Sequence, residues 1–199
     1  MVKKLEFYFD VASPPSYIAH RRLPALVERT GAALILKPVL VGGVFKLSGN
    51  AAPVSVPAKK AYMMRVELPC LARQYGIALD FDSRAPFDSL NLMRGAVVAD
   101  ELGGLAEYAT ALFRATWATA RDMSDPTAVA DVLDAAGFDP GVIFTRIRER
   151  TIKDRLIAAT EAAVDRGVFG VPTFFIGTEM YFGQDRLDVI ETELGAASP

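Results

Sequence analysis

Three short segments carry residue types that could do chemistry. Ser13-Pro14-Pro15-Ser16 follows a strand-like run and precedes a helical one. A helix start offers unpaired N–H groups and the positive end of a dipole, so it favours an anion such as a thiolate. The chain holds one cysteine, Cys70, so a thiolate there has to arrive on a ligand, and a serine hydroxyl can donate a hydrogen bond to it. Phe169-Gly170-Val171-Pro172-Thr173-Phe174 puts proline at the first residue of a strand, where a missing N–H is tolerated. Gly183-Gln184-Asp185-Arg186 opens the last helix, where N–H groups suit a carboxylate and Asp185 suits an ammonium group. Taken singly, each segment has a plain structural account: serines cap helices, prolines start strands and acidic residues complement the dipole.

The elements that position these segments follow from the hydrophobic pattern. Leu5–Val11 is a β-prone apolar run suited to a central strand. Tyr17, Ile18, Leu23, Leu26 and Val27 then recur at helical spacing until Gly31, with a kink expected at Pro24. Ala33–Leu40 reads as a second strand, completing a βαβ unit with a right-handed crossover. From Gly42 to about Lys60 the composition turns to Gly, Pro, Ser and Asn, which predicts a long loop. A helical stretch follows, with Asp125-Pro126 and Asp139-Pro140 as start signals. Pro172–Ile176 and Met180–Phe182 form a hairpin across Gly177-Thr178-Glu179, and a last helix turns Leu187, Ile190 and Leu194 inward. The order βαβ, helices, ββα is that of an α/β thioredoxin-like fold with an inserted all-helical domain. Residues 1–41 and 168–199 make the thioredoxin-like part, and 42–167 the inserted loop and helices. Redox enzymes of that fold carry Cys-x-x-Cys where this chain has Ser13 and Ser16, so it makes no disulfide of its own.

Composition excludes several classes. Of the 199 residues 51% are hydrophobic and 23% charged, which is globular. Lys+Arg 22 against Asp+Glu 24, scattered along the chain, leaves no basic stripe for nucleic acid. The lone histidine, His20, excludes a multi-histidine metal site, and no CxxC pair is possible. The amino terminus lacks a secretory signal pattern and no apolar run is long enough to cross a membrane, so a cytoplasmic location is expected. Cys70 reads as a small buried hydrophobe, Phe113 and Trp117 as core, and His20 as a helix residue in contact with water.

Read together, Phe7-Tyr8-Phe9-Asp10-Val11-Ala12-Ser13-Pro14-Pro15-Ser16-Tyr17, Gly49-Asn50, Pro57-Ala58-Lys59, Gly170–Phe174 and Phe182-Gly183-Gln184-Asp185-Arg186-Leu187 resemble the 2-hydroxychromene-2-carboxylate isomerase family, kin to kappa-class glutathione transferases. The resemblance runs nearly end to end. It implies glutathione as cofactor, with Ser13 as the catalytic serine at the glutathione sulfur. Val171, before an expected cis-Pro172, would pair with the cysteinyl backbone, and Gln184 and Asp185 would hold the γ-glutamyl end. Asn50 and Lys59 would approach glutathione or substrate from the long loop. Pro15 departs from the aromatic often found in the motif. The implied partner is a small aromatic enone or chromene carboxylate, and relatives imply a homodimer. A kappa-like transferase or peroxidase, and a redox-inactive thioredoxin-like binding module, are the alternative functions.

Overall fold

The structure, a computed structural model, describes residues 2–80 and 87–195. Strand β1 (Lys4–Phe9) is central. Strand β2 (Ala33–Pro38) lies parallel on one side, with Phe7 opposite Leu36. Strand β3 (Thr173–Ile176) lies antiparallel on the other, with Phe7 opposite Phe174. Strand β4 (Glu179–Phe182) pairs with β3 as a hairpin, giving the order β2-β1-β3-β4.

The α-helices among the described residues are α1 (Pro14–Thr30), α2 (Val41–Ser48), α3 (Pro57–Tyr62), α4 (Leu68–Tyr75), α5 (Leu90–Glu101), α6 (Leu105–Trp117), α7 (Pro126–Ala135), α8 (Pro140–Arg146), α9 (Arg150–Asp165) and α10 (Leu187–Gly195). Local chemistry sets several of the ends. Ser13 caps α1, and Gly31 closes it at φ 65. Asp125 caps α7 through Thr127 N, and Asp139 caps α8 through Gly141 N and Val142 N. Pro24 lies inside α1, which continues through it.

The segment read as a long loop is structured. It holds α2, a 3-10 turn at Pro53–Ser55 and α3, which leads through a π turn (Met63–Glu67) into α4. Glycine and proline content misled the sequence reading here. Gly42 and Gly43 lie inside α2, and Gly43 lets the helix settle on α9: a Cβ there would sit 3.1 Å from Thr160 Cγ2. Pro53 and Pro57 occupy first-turn positions, where proline costs no hydrogen bond.

Alternate residues of β1 face opposite layers, as strand geometry requires. Phe7 stacks on Phe9 at 5.3 Å and on Phe174 at 5.2 Å, and Phe9 meets Phe113 of α6 at 5.7 Å. Sheet and helices therefore share one continuous core on this side. Tyr8 and Phe175 face the other way, onto Val39, Val44, Ala163, Val168 and Val171. Trp117 is core, and it also donates from Nε1 to Val11 O at 2.8 Å, fastening the end of β1 to α6. Cys70 is exposed, not buried, because α4 turns it outward while Leu68 and Ala72 face in. His20 is packed, not merely wetted: its ring lies 4.9 Å from that of Phe113, and Nε2 is 3.0 Å from Thr110 Oγ1. Among the described residues no helix is long and apolar enough to cross a membrane, and no group of three His, Cys, Asp or Glu could hold a metal.

Candidate functional site

The C-terminal end of β1, the turn after β2 and the start of β3 meet at one edge of the sheet, where α1 begins. Ser13 is buried there. Its Oγ accepts from Ser16 N at 3.2 Å and donates to Val171 O at 3.3 Å, across 158 residues of sequence. The Val171–Pro172 peptide is cis. Pro172 O accepts from Gly183 N at 2.9 Å, which brings in the Gly183–Arg186 turn. Arg22 of α1 reaches that turn as well, donating from Nη1 to Gln184 O at 3.1 Å. A chain of hydrogen bonds thus gathers Ser13, Val171, Pro172, Gln184 and Asp185 into one place.

The start of α1 differs from the sequence expectation in one respect. A helix normally leaves four N–H groups free at its beginning. Here Ser13 N bonds Asp10 O at 3.0 Å, Pro14 and Pro15 have no N–H, and Ser16 N is taken by Ser13 Oγ. The next amide, Tyr17 N, already makes its helical bond to Ser13 O. No N–H remains for a ligand. The dipole field persists, but no backbone N–H is left, and the donors remaining at the helix start are side-chain hydroxyls, of which that of Ser13 is the one held against Val171 O. Ser16, in the second serine position, is fully buried, and its Oγ has no partner.

The other site residues differ in how they are held. Gln184 is buried with its Oε1 unpaired, a costly state for an amide oxygen unless a donor reaches it. Asp185 is exposed and pairs with Arg186 at 3.1 Å, a surface ion pair of little strength. Its carboxylate folds back over Gly183, whose φ of +102° and lack of Cβ make room: a Cβ would lie 2.5 Å from Asp185 Oδ1. Asn50 Nδ2 donates to Phe169 O at 2.8 Å and Oδ1 accepts from Ala51 N, so Asn50 ties the end of α2 to the segment that leads into Pro172. Lys59 stands apart. It is an exposed residue of α3, a helix that packs chiefly on the turns either side of it, and no described contact joins it to Ser13.

Asp10, part of the quoted motif but assigned no role from sequence, organises the edge. It is fully buried. Oδ1 accepts from Ala12 N at 2.9 Å, and Oδ2 accepts from Val41 N at 2.9 Å and from Ser89 Oγ at 2.8 Å. One carboxylate therefore pins the Ser13 loop, the start of α2 and the start of α5. A charged residue inside the apolar run Leu5–Val11 was the available signal, since a buried acid needs partners. Arg22 was also missed. Its guanidinium lies 3.9 Å over the Tyr75 ring and pairs with Asp188, geometry that no spacing rule conveys.

Burial raises the Asp10 carboxyl from 3.8 to about 6, against the hydrogen bonds that hold it down. Burial also lowers the His20 imidazole from 6.5 to about 4, with the charge of Arg21 adding to the effect. The two act on stability with opposite signs. Asp10's contribution is complete below the unfolded pKa and is lost as pH rises towards 6. His20's is complete above 6.5 and is lost as pH falls to about 4. Each shift is worth about 3 kcal/mol. His20→Phe keeps the ring against Phe113, so relative to the parent it should gain about 3 kcal/mol in unfolding free energy between neutral pH and about pH 4. Urea unfolding at the two pH values measures it, and an unchanged difference would mean His20 titrates normally.

Comparison with known proteins gives the family and the fold. The DSBA-like thioredoxin domain family model matches residues 4–195. A 2-hydroxychromene-2-carboxylate isomerase of Pseudomonas putida is 31% identical over 192 residues, covering 96% of this chain and 94% of its own. Glutathione S-transferase kappa 1 of Rattus norvegicus is 27% identical, covering 96% and 90%. A solved structure of 2-hydroxychromene-2-carboxylate isomerase superposes with a TM-score of 0.87 at 30% identity, over 96% of this chain and 94% of that one.

Proposed function

The chain belongs to the DSBA-like thioredoxin domain family and, within it, to the 2-hydroxychromene-2-carboxylate isomerase family, and on that premise we propose that it interconverts 2-hydroxychromene-2-carboxylate and trans-o-hydroxybenzylidenepyruvate with glutathione as cofactor. The observation that carries this reading is the Ser13 hydroxyl, held against Val171 O at a helix start that has no free N–H.

Glutathione's thiol has an ordinary pKa of about 8.5, so only a few per cent is thiolate near neutral pH. In the free protein the Ser13 hydroxyl donates to Val171 O. A cysteinyl N–H laid along Val171 would take that acceptor and leave the hydroxyl to turn to the sulfur. Seating the peptide and activating the thiol become one event. Bound there, glutathione would supply a nucleophilic sulfur for reversible addition to the conjugated enone of the substrate, and the part of Ser13 would be to hold the negative charge on that sulfur. Gln184 and Asp185 hold the γ-glutamyl end. Asn50 acts by holding the segment that carries Val171, and Lys59 meets the substrate carboxylate from α3.

The exposed Asp185 is free to exchange Arg186 for a ligand ammonium group. Asp185→Ala should weaken glutathione binding by about 1.5–3 kcal/mol, the scale of a charged hydrogen bond. Calorimetric titration measures it, and parental affinity would put the γ-glutamyl end elsewhere.

The 27% identity to the kappa 1 transferase favours a second reading, in which glutathione is consumed by conjugation or oxidation. Ultraviolet absorbance of the chromene carboxylate and its ring-opened isomer, with and without glutathione, separates the two. Acceleration that needs glutathione and leaves its concentration unchanged supports the isomerase. Stoichiometric loss of thiol supports the transferase or peroxidase.

A further inference from the structure

We propose that a cleft between α2, α5 and α9 is a second binding site, for a small aromatic carboxylate, with Arg94 as the residue that holds the carboxylate. The cleft has a volume of about 190 Å³, larger than the roughly 150 Å³ apolar cavity that takes up benzene. Its floor is Leu40, Leu90 and Leu156. Thr160 also lies there, but its hydroxyl is spent on both sides: it donates to Leu156 O at 2.7 Å and accepts from Leu40 N at 3.1 Å. The floor is therefore an apolar surface with no polar group left to offer.

The rim has the opposite character. Lys46, Arg94 and Lys153 line it, with Glu161 as the one acid, leaving a net positive mouth. Neither lysine makes an ion pair among the described residues. Arg94 makes one long hydrogen bond, from Nη1 to Asn91 Oδ1 at 3.3 Å, while its Nε is buried with no partner. A guanidinium N–H shut away from water is normally paired. With only that long bond to Asn91, the guanidinium of Arg94, which lines the cleft, has Nη donors to spare for a planar carboxylate, the group that arginine holds best. A flat hydrocarbon body on leucines and an anionic head at Arg94 is the ligand this arrangement fits. The cleft also abuts the support of Ser13, because Val41 and Ser89, neighbours of Leu40 and Leu90, both bond Asp10.

The test is calorimetric titration with 2-naphthoate and, as the uncharged counterpart, 2-naphthalenemethanol. Expected are one saturable site for the carboxylate and at least about tenfold weaker binding of the alcohol. Arg94→Gln and Ile157→Trp, the latter filling the mouth from a half-exposed position, should each weaken 2-naphthoate by at least about tenfold. Ser13→Ala should leave it unchanged. Thermal unfolding shows that the variants are folded. No saturable binding, equal binding of the alcohol, undiminished affinity in both cleft variants, or loss in Ser13→Ala would each overturn the proposal. Binding is read instead of turnover, so the result stands apart from whether the isomerisation is observed.

Discussion

Ser13→Ala should lower the glutathione-dependent rate by about 10²–10³-fold near neutral pH, the usual loss when a single anion-stabilising donor is removed. Glutathione affinity should change little, because the peptide backbone and the γ-glutamyl end are held by other groups. The deficit should shrink at alkaline pH, where the thiolate forms without help. Titration of the bound thiol by its ultraviolet absorbance should show a higher pKa in the variant. A thiol with no amide to lay along Val171, such as 2-mercaptoethanol, should show little depression even in the parent. The expected loss is large because the start of α1 has no reserve. Elsewhere a helix N-terminus could substitute a backbone N–H for the missing hydroxyl, but Pro14 and Pro15 have none. The alanine variant does release Ser16 N from Ser13 Oγ. If that amide replaced the hydroxyl, the bound thiol would titrate as in the parent, and Ser13 would have no part in the mechanism.

Asp10→Ala is expected to cost about 3 kcal/mol or more in unfolding free energy, because it strands two backbone N–H groups and a hydroxyl in the interior. Ser89→Ala removes only one of those donors and should cost about 1 kcal/mol. Urea unfolding of the pair gives the comparison, and equal losses would show that Asp10 does not act as a common anchor. Activity distinguishes anchoring from mere stability. In folded Asp10→Ala, kcat should fall more than glutathione affinity, since Ala12 and Ser13 lose their fixed position while Gln184 and Asp185 keep theirs.

The fold was legible where local signals agreed with tertiary packing. The βαβ start, the Pro172–Phe182 hairpin and the Asp-Pro helix starts were all readable from periodicity and capping residues. Ser13, Val171, Pro172, Gln184 and Asp185, though named from motifs far apart in sequence, are joined by three backbone or side-chain bonds in space. What could not be read depended on contacts between distant segments. Gly42 and Gly43 signal a loop by composition, yet both sit in a helix, and only Gly43 faces α9, where a Cβ would press on Thr160. Asp10 looks like the end of a strand until Val41 and Ser89 are seen to bond it. Cys70 and His20 exchanged their expected environments because the orientation of α4 and α6 decides which face is covered.

The paired prolines at the start of α1 also bear on what the site ignores. A helix start with free amides collects phosphate and sulfate, which are abundant in any cell and which several N–H groups bind together. This one has no amide to give them, so an ambient oxyanion gains the dipole and one hydroxyl and loses much of its hydration. A soft thiolate, weakly hydrated and content with a single hydrogen bond, loses far less. The Ser-Pro-Pro sequence thereby makes the helix start a poor trap for inorganic anions, as the proposed site for a ligand thiolate requires.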